Sequence, residues 1–334
     1  MNVYDKEYKR LTLRLGFAML LLFVLLQGLM TLLGLGQLLF EAFLTEKVAD
    51  VLYWGLYNVF YFVSFMLPVP FFFLISRKEK PQRMCFDIRF PKHFWLLSIA
   101  CVGMITAAGQ INNLLLAPFT GQSESTDMIL ELISSDRSYM VVLVFVMIVI
   151  VPPFCEEFLF RGLVLGNLLP YGKGLAIVGS ALLFAAMHQN FSQFLYTAVA
   201  GILLGLLYTE SRSIWPSTIV HMLNNMLSFL QMITVSRVEN EMLANRVILC
   251  MNLLVVFAGL VCVIVLVMLQ KNKPEKPICK GSLFGTLPDQ RYFEKDRELS
   301  PGMAIKGLLS PSVAVFLGIS IVMALLNLVM ENML

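Results

Sequence analysis

The sequence predicts an all-α fold, a polytopic membrane helical bundle of about eight core transmembrane helices plus one extra C-terminal span. Three observations carry that expectation. Hydrophobic residues make up 58% of the 334 and charged residues only 14%, whereas soluble domains hold about 45–50% and about 25%. The mean hydropathy is +0.78. Apolar runs long enough to cross a hydrocarbon core of about 30 Å, which takes about 20 helical residues, recur along the chain. A helix satisfies its own backbone in lipid, where an open strand or loop would not. The 25 Lys and Arg against 22 Asp and Glu leave a net charge of +3, too small for a nucleic-acid-binding tract. The lipid bilayer is the expected partner.

Leu15 to Phe40, Val51 to Ser76, Val247 to Gln270 and Gly307 to Met330 contain no formal charge. Leu15 to Phe40 is too long for a signal-peptide core and has no clear small-residue cleavage site, so it reads as a retained anchor. Phe94 to Leu116 is a third span. Tyr139 to Leu169 is a fourth, broken by Pro152-Pro153 and then by Glu156, Glu157 and Arg161. Gly174 to His188, Phe191 to Thr209 and Ser213 to Ser236 follow, giving nine helices with the two C-terminal runs. This divides the chain into N-terminal helices with their loops (1–138), a helical core (139–270), a Pro- and Gly-punctuated connector (271–306) and a last transmembrane helix (307–334).

Short loops rich in Lys and Arg stay cytoplasmic. Lys6, Lys9, Arg10 and Arg14, the loop from Arg77 to Lys92, and the 271–306 segment carry most of the basic residues. The expectation is a multi-pass protein of the cell membrane with a cytoplasmic N-terminus and the C-terminus outside. Glu41, Glu46 and Asp50, and the acidic stretch Glu124 to Asp136, fall on the other side. The six cysteines include no C-x-x-C pair and read as buried apolar residues, not a disulfide framework.

Ionisable groups inside a span are costly and usually face a bundle interior. Glu157 and Arg161 lie four apart on one helical face and can form a neutralising pair. Glu156 points about 100° away and has no local partner. His188 ends the run Phe184-Ala185-Ala186-Met187-His188, and His221 and Asn225 share a face four apart. Each alone also fits a packing role. The chain has only three histidines, and two of them lie in spans close in sequence to Glu156; the third, His93, sits in a basic interfacial loop. At 1.5 Å per residue, Glu156 lies about 25 Å from Tyr139, His188 about 21 Å from Gly174 and His221 about 10 Å from Ser213. Those depths favour a cavity opening toward the cytoplasm. Gln110, Asn112 and Asn113 read as interhelical hydrogen-bonding groups, and Gly201-x-x-x-Gly205 as close packing among spans five to seven.

Hydrolysing an amide in a membrane takes a deprotonated water, donors for the developing oxyanion and a proton for the leaving amine. Glu156 and His188 could polarise the water while His221 and Asn225 donate to the oxyanion. Alternatively, Glu156, His188 and His221 could hold a zinc ion with the fourth position left for water. The spacing leaves the cofactor undecided.

The ordered set Glu156-Glu157-x-x-x-Arg161, Phe184-x-x-x-His188 and His221-x-x-x-Asn225 on successive apolar helices resembles the CPBP family of intramembrane proteases. That family includes the CAAX prenyl endopeptidases and the bacteriocin-processing or self-immunity (Abi) proteins. The resemblance covers about a quarter of the chain. It implies a membrane-embedded endopeptidase acting on a membrane-associated or prenylated peptide or protein. It further implies water activation at Glu156 and His188, oxyanion stabilisation at His221 and Asn225, and support from Glu157 and Arg161. Members are commonly called metalloproteases, and a metal-free glutamate mechanism is also argued for them. The rival expectation is a non-catalytic membrane protein: an immunity or scaffold protein, or a proton-coupled carrier using the same buried groups.

Overall fold

The computed structural model describes residues 3–77, 86–116, 124–134, 138–271, 299–300 and 302–333, and among these there is no strand. Cys85, Cys279 and most of the 271–306 connector lie outside them. The first helix, α1 (Val3–Phe43), is followed by α2 (Glu46–Met66), α3 (Pro68–Ile75) and α4 (Phe94–Leu116). A short α5 (Glu124–Ser134) stands where the sequence suggested only an acidic loop, and its Ile133 is buried beside Trp54, Met140 and Phe229. Helices α9 (Lys173–Met187), α10 (Phe191–Ser211), α11 (Ile214–Arg237), α12 (Glu241–Lys271), α13 (Met303–Leu308) and α14 (Pro311–Met333) complete the bundle after the fourth span.

Each of the nine expected spans is helical. Seven helices, counting α2 with α3 and the whole fourth span as one each, are long and apolar enough to cross a membrane. The other two are α9, short at 15 residues, and α11, whose 24 residues include His221, Asn224 and Asn225. Connections such as Met187–Phe191 and Ser211–Ile214 are only a few residues long, which forces antiparallel neighbours.

The fourth span, Ser138–Tyr171, is irregular. It runs as α6 (Ser138–Phe145), π-helical turns Val146–Ile150, α7 (Val151–Glu157), more π-helical turns Phe158–Leu165, α8 (Gly166–Leu168) and a 3₁₀ turn Leu169–Tyr171. Pro152 and Pro153 explain the first irregularity, because neither has an N–H to return to the preceding turn. The carbonyl of Ile148 loses its donor in the α pattern at Pro152 and in the π pattern at Pro153.

Helix α1 buries Leu15, Ala18, Met19 and Leu22, a spacing of three and four that lines one face. Against that face lies α14, tied by Ser312 Oγ donating to the Leu13 carbonyl at 2.6 Å. At the helix start, Tyr8 OH donates to the Ala304 carbonyl at 2.9 Å. Glycines set two close crossings. A Cβ on Gly201 would lie 2.9 Å from Ala181 Cα, and one on Gly205 would lie 3.1 Å from Leu165. The G-x-x-x-G therefore packs α10 onto the fourth span and α9, where the sequence suggested spans five to seven. The second crossing joins α4 and α12, where a Cβ on Gly103 would come within 2.7 Å of Gly259 Cα. Cys101, Cys155, Cys250 and Cys262 are free thiols.

Candidate active site

Helices α4, α9, α10 and α11 and the irregular fourth span surround a cavity of about 200 Å3 whose lining includes Glu156, His188, His221 and Asn225. All four candidate residues thus reach one space, from the fourth span, the end of α9 and the middle of α11. Glu157 and Arg161 lie behind the wall, fully buried.

Glu156 is anchored through one oxygen only. Tyr61, from the middle of α2, donates its hydroxyl to Oε1 at 2.6 Å. Oε2 is buried without a hydrogen-bond partner among the described residues and lies 3.7 Å from His221 Nε2, too far for a direct hydrogen bond. A buried carboxylate oxygen left open in this way has full acceptor capacity for a water or a substrate group.

Glu157 pairs with Arg161 Nη1 at 2.9 Å, as the i,i+4 spacing suggested. It also holds His221, whose Nδ1 lies 3.1 Å from Glu157 Oε1. A carboxylate can only accept, so Nδ1 carries the proton and Nε2 faces Glu156. Arg161 is further fixed by donating Nη2 to the Gly201 carbonyl at 3.3 Å and by lying 4.7 Å over the Phe184 ring. The same ring stands edge-on to His188 at 4.9 Å and to His221 at 5.9 Å.

His188 sits where α9 ends and the chain turns through Gln189, whose φ is +52°. Asn190 caps α10 by accepting from Ser192 N at 2.7 Å. His188 Nδ1 lies 2.9 Å from the Phe184 carbonyl, an acceptor that assigns the proton to Nδ1 and leaves Nε2 open. Asn112 of α4 donates to the Ser192 carbonyl beside this turn, as the interhelical reading of that span suggested; Gln110 and Asn113 are exposed.

Asn225 Nδ2 donates to the Ile148 carbonyl at 2.9 Å, the group that Pro152 and Pro153 deprive of its helical donor. One amide hydrogen is thereby used and the second remains.

Sequence reasoning did not single out Tyr61, or Gln193, Tyr196, Thr197, Asn224 and Ser228, which also line the cavity. Tyr61 did carry a signal: tyrosines favour the membrane interface, and this one lies mid-span. The others are uncharged and mark no site until α10 and α11 are placed side by side.

A zinc ion held by Glu156, His188 and His221 does not fit this arrangement. Among the described residues no three His, Cys, Asp or Glu side chains stand close enough to hold a metal ion. The mismatch is one of spacing, since Nδ1 of both imidazoles and Oε1 of Glu156 are engaged by Phe184, Glu157 and Tyr61 while each Nε2 and Glu156 Oε2 stay open.

Exposure along the cavity lining is graded. Along α10 the lining passes from buried Leu204 and Ala200 to half-buried Tyr196 and Gln193; along α11 it passes from buried His221 through half-buried Asn224 and Asn225 to exposed Ser228. Both series run toward the end of the bundle that holds the His188 turn, away from the basic connections.

Residues 138–227 match the family model described as Rce1-like, type II CAAX prenyl endopeptidase Rce1-like. The matched stretch runs from the start of the fourth span to Leu227 of α11 and holds Glu156, Glu157, Arg161, His188, His221 and Asn225; Tyr61 lies outside it. No curated protein and no solved structure matches the chain.

Proposed function

We propose that the Rce1-like stretch makes this chain an intramembrane endopeptidase, hydrolysing a peptide bond in a membrane-associated or lipidated peptide or protein. The observation that carries the reading is the open oxygen of Glu156, buried and unpartnered in a cavity shared with two imidazoles and an amide.

A water bound at Glu156 Oε2 gives up a proton to that oxygen as its own oxygen attacks the substrate carbonyl. His188 Nε2 accepts the water's other hydrogen and orients it. The tetrahedral oxyanion takes hydrogen bonds from Asn225, through the amide hydrogen not held by Ile148, and from His221 when its Nε2 also carries a proton. Collapse breaks the C–N bond, and the proton held by Glu156 passes to the leaving amine. Glu157 and Arg161 touch no reacting atom in this scheme. They fix the ring of His221, the role a carboxylate behind a histidine plays in hydrolytic sites.

The test is cleavage of a library of lipidated and membrane-anchored peptides by the purified protein in detergent. Glu156→Gln and His188→Ala proteins should insert and purify normally yet lose cleavage by at least about a hundredfold. Full activity in both variants would sink the reading and favour a non-catalytic membrane protein. The same assay in a zinc chelator checks the metal: undiminished cleavage fits the donor geometry, whereas loss restored by added zinc would overturn it.

A further inference from the structure

We propose that the cavity is entered from the non-cytoplasmic side of the membrane, and that its substrates are peptide segments presented at the outer leaflet. This rests on the protease reading for the word substrate, while the side of entry stands on the fold alone.

Three sets of observations converge. The first is charge. Lys6, Lys9, Arg10 and Arg14 at the start of α1, Arg77, Arg89 and Lys92 between α3 and α4, Lys173 before α9, Arg212 before α11 and Lys306 in α13 lie at one end of the bundle. Among the described residues only Lys47, Arg237 and Arg246 lie near the other, together with Glu41, Glu46, Asp50, Glu131, Glu239 and Glu241. An asymmetry of this size in short connections places the basic end in the cytoplasm.

The second is closure at that basic end. Phe86 docks with its ring 5.6 Å from Phe158, and its carbonyl accepts from Trp215 Nε1 at 3.0 Å. Phe154 adds a ring 6.3 Å from both Phe158 and Trp215. This aromatic cluster bridges the fourth span and the start of α11 on the basic side of the site.

The third is the opening at the opposite end, where the lining grades from Leu204, 1% exposed, to exposed Ser228. The level of the mouth follows from α1 and α14. Gln27 donates to Gln189 Oε1 at 3.3 Å and Asn327 to the Gln189 carbonyl at 2.9 Å. Leu13 and Ser312 mark the level of the basic side. From Leu13 to Gln27 a helix rises about 21 Å, so the His188 turn lies in the far half of a core about 30 Å thick.

The rim is uncharged. Gln193, Tyr196, Asn224, Asn225 and Ser228 offer amides and hydroxyls, which suit the backbone of an extended peptide better than a charged headgroup or a C-terminal carboxylate. A chain segment emerging from the outer leaflet, held by a lipid or a span on one side, meets this rim without crossing the bilayer.

Cysteine accessibility in intact cells tests the proposal. The full-length Ser228→Cys protein should label with a membrane-impermeant maleimide to the same extent before and after permeabilisation, above the background of the wild-type cysteines. Lys9→Cys should label only after permeabilisation. Labelling of Ser228→Cys only after permeabilisation, or by neither route, overturns the proposal, as does labelling of Lys9→Cys in intact cells. Repeating the assay with Glu156→Gln should leave the pattern unchanged. A failure of the protease reading would appear as retained cleavage in that variant, a separate measurement from the labelling.

Discussion

Glu156 acts through what it lacks: one oxygen is held by Tyr61 and the other is open. Removing the Tyr61 hydroxyl costs a hydrogen bond to a carboxylate, about 1.5 kcal/mol at the low end, and lets the side chain rotate away from the cavity. Tyr61→Phe should therefore lower kcat about tenfold with KM unchanged, measured on any peptide the wild type cleaves; an unchanged kcat would remove Tyr61 from the site. Arg161 belongs to the same scale but to stability. It is fully buried against Glu157, and removing one member of such a pair costs about 3–5 kcal/mol. Arg161→Ala should lose most of its folded yield in detergent, whereas Tyr61→Phe should not. The i,i+4 pairing of Glu157 with Arg161 was legible in the sequence because both residues ride one helix. The bonds Glu157 to His221 and Glu156 to Tyr61 were not, because they join helices far apart in the chain, and nothing in one sequence fixes the register between them.

At the scale of the element, the two prolines of the fourth span and the asparagine of α11 form one unit. Pro152 and Pro153 strip the Ile148 carbonyl of its helical donor, and Asn225 replaces it. Asn225→Leu should thus destabilise the protein by about 1–3 kcal/mol, the cost of an unsatisfied buried acceptor. In a Pro152→Ala background, where an N–H is restored to the turn, the same change should cost less. A double-mutant cycle followed by thermal unfolding in detergent should give a coupling of about 0.5–3 kcal/mol, and strict additivity would break the link. The break at Pro152-Pro153 was readable in the sequence; its repair was not, since an H-x-x-x-N spacing says that His221 and Asn225 share a face without saying what that face meets. The glycine crossings divide the same way. Gly201 and Gly205 announce a close approach by their spacing, but Gly103 and Gly259 lie on helices far apart in the chain and carry no spacing to notice.

Taken whole, the bundle gathers its reactive groups from three segments: Glu156 from the fourth span, His188 from the turn of the short α9–α10 hairpin, and His221 and Asn225 from α11. Hydropathy made the long spans legible because each is a run of apolar residues longer than a membrane needs. It was less informative for α9, which has only 15 residues, and for α11, whose middle carries His221, Asn224 and Asn225. The His188 turn is held from outside the hairpin by α1, through Gln27, and by α14, through Asn327. The last helix thus reaches the backbone one residue from a candidate catalytic imidazole, a contact that its sequence of apolar residues did not disclose. Asn327→Leu removes the donor to the Gln189 carbonyl, worth about 1 kcal/mol net, while keeping a side chain of similar volume and leaving the Ser312 anchor of α14 in place. If that bond sets the position of His188, kcat should fall about fivefold, the factor that 1 kcal/mol represents, with no change in thermal midpoint beyond a few degrees. Gln27→Leu, which removes an exposed and longer bond from the side chain of Gln189, should have a smaller effect. Equal losses in the two variants, or a drop in folded yield that accounts for all the lost activity, would show that α14 supports the bundle in general and not the turn.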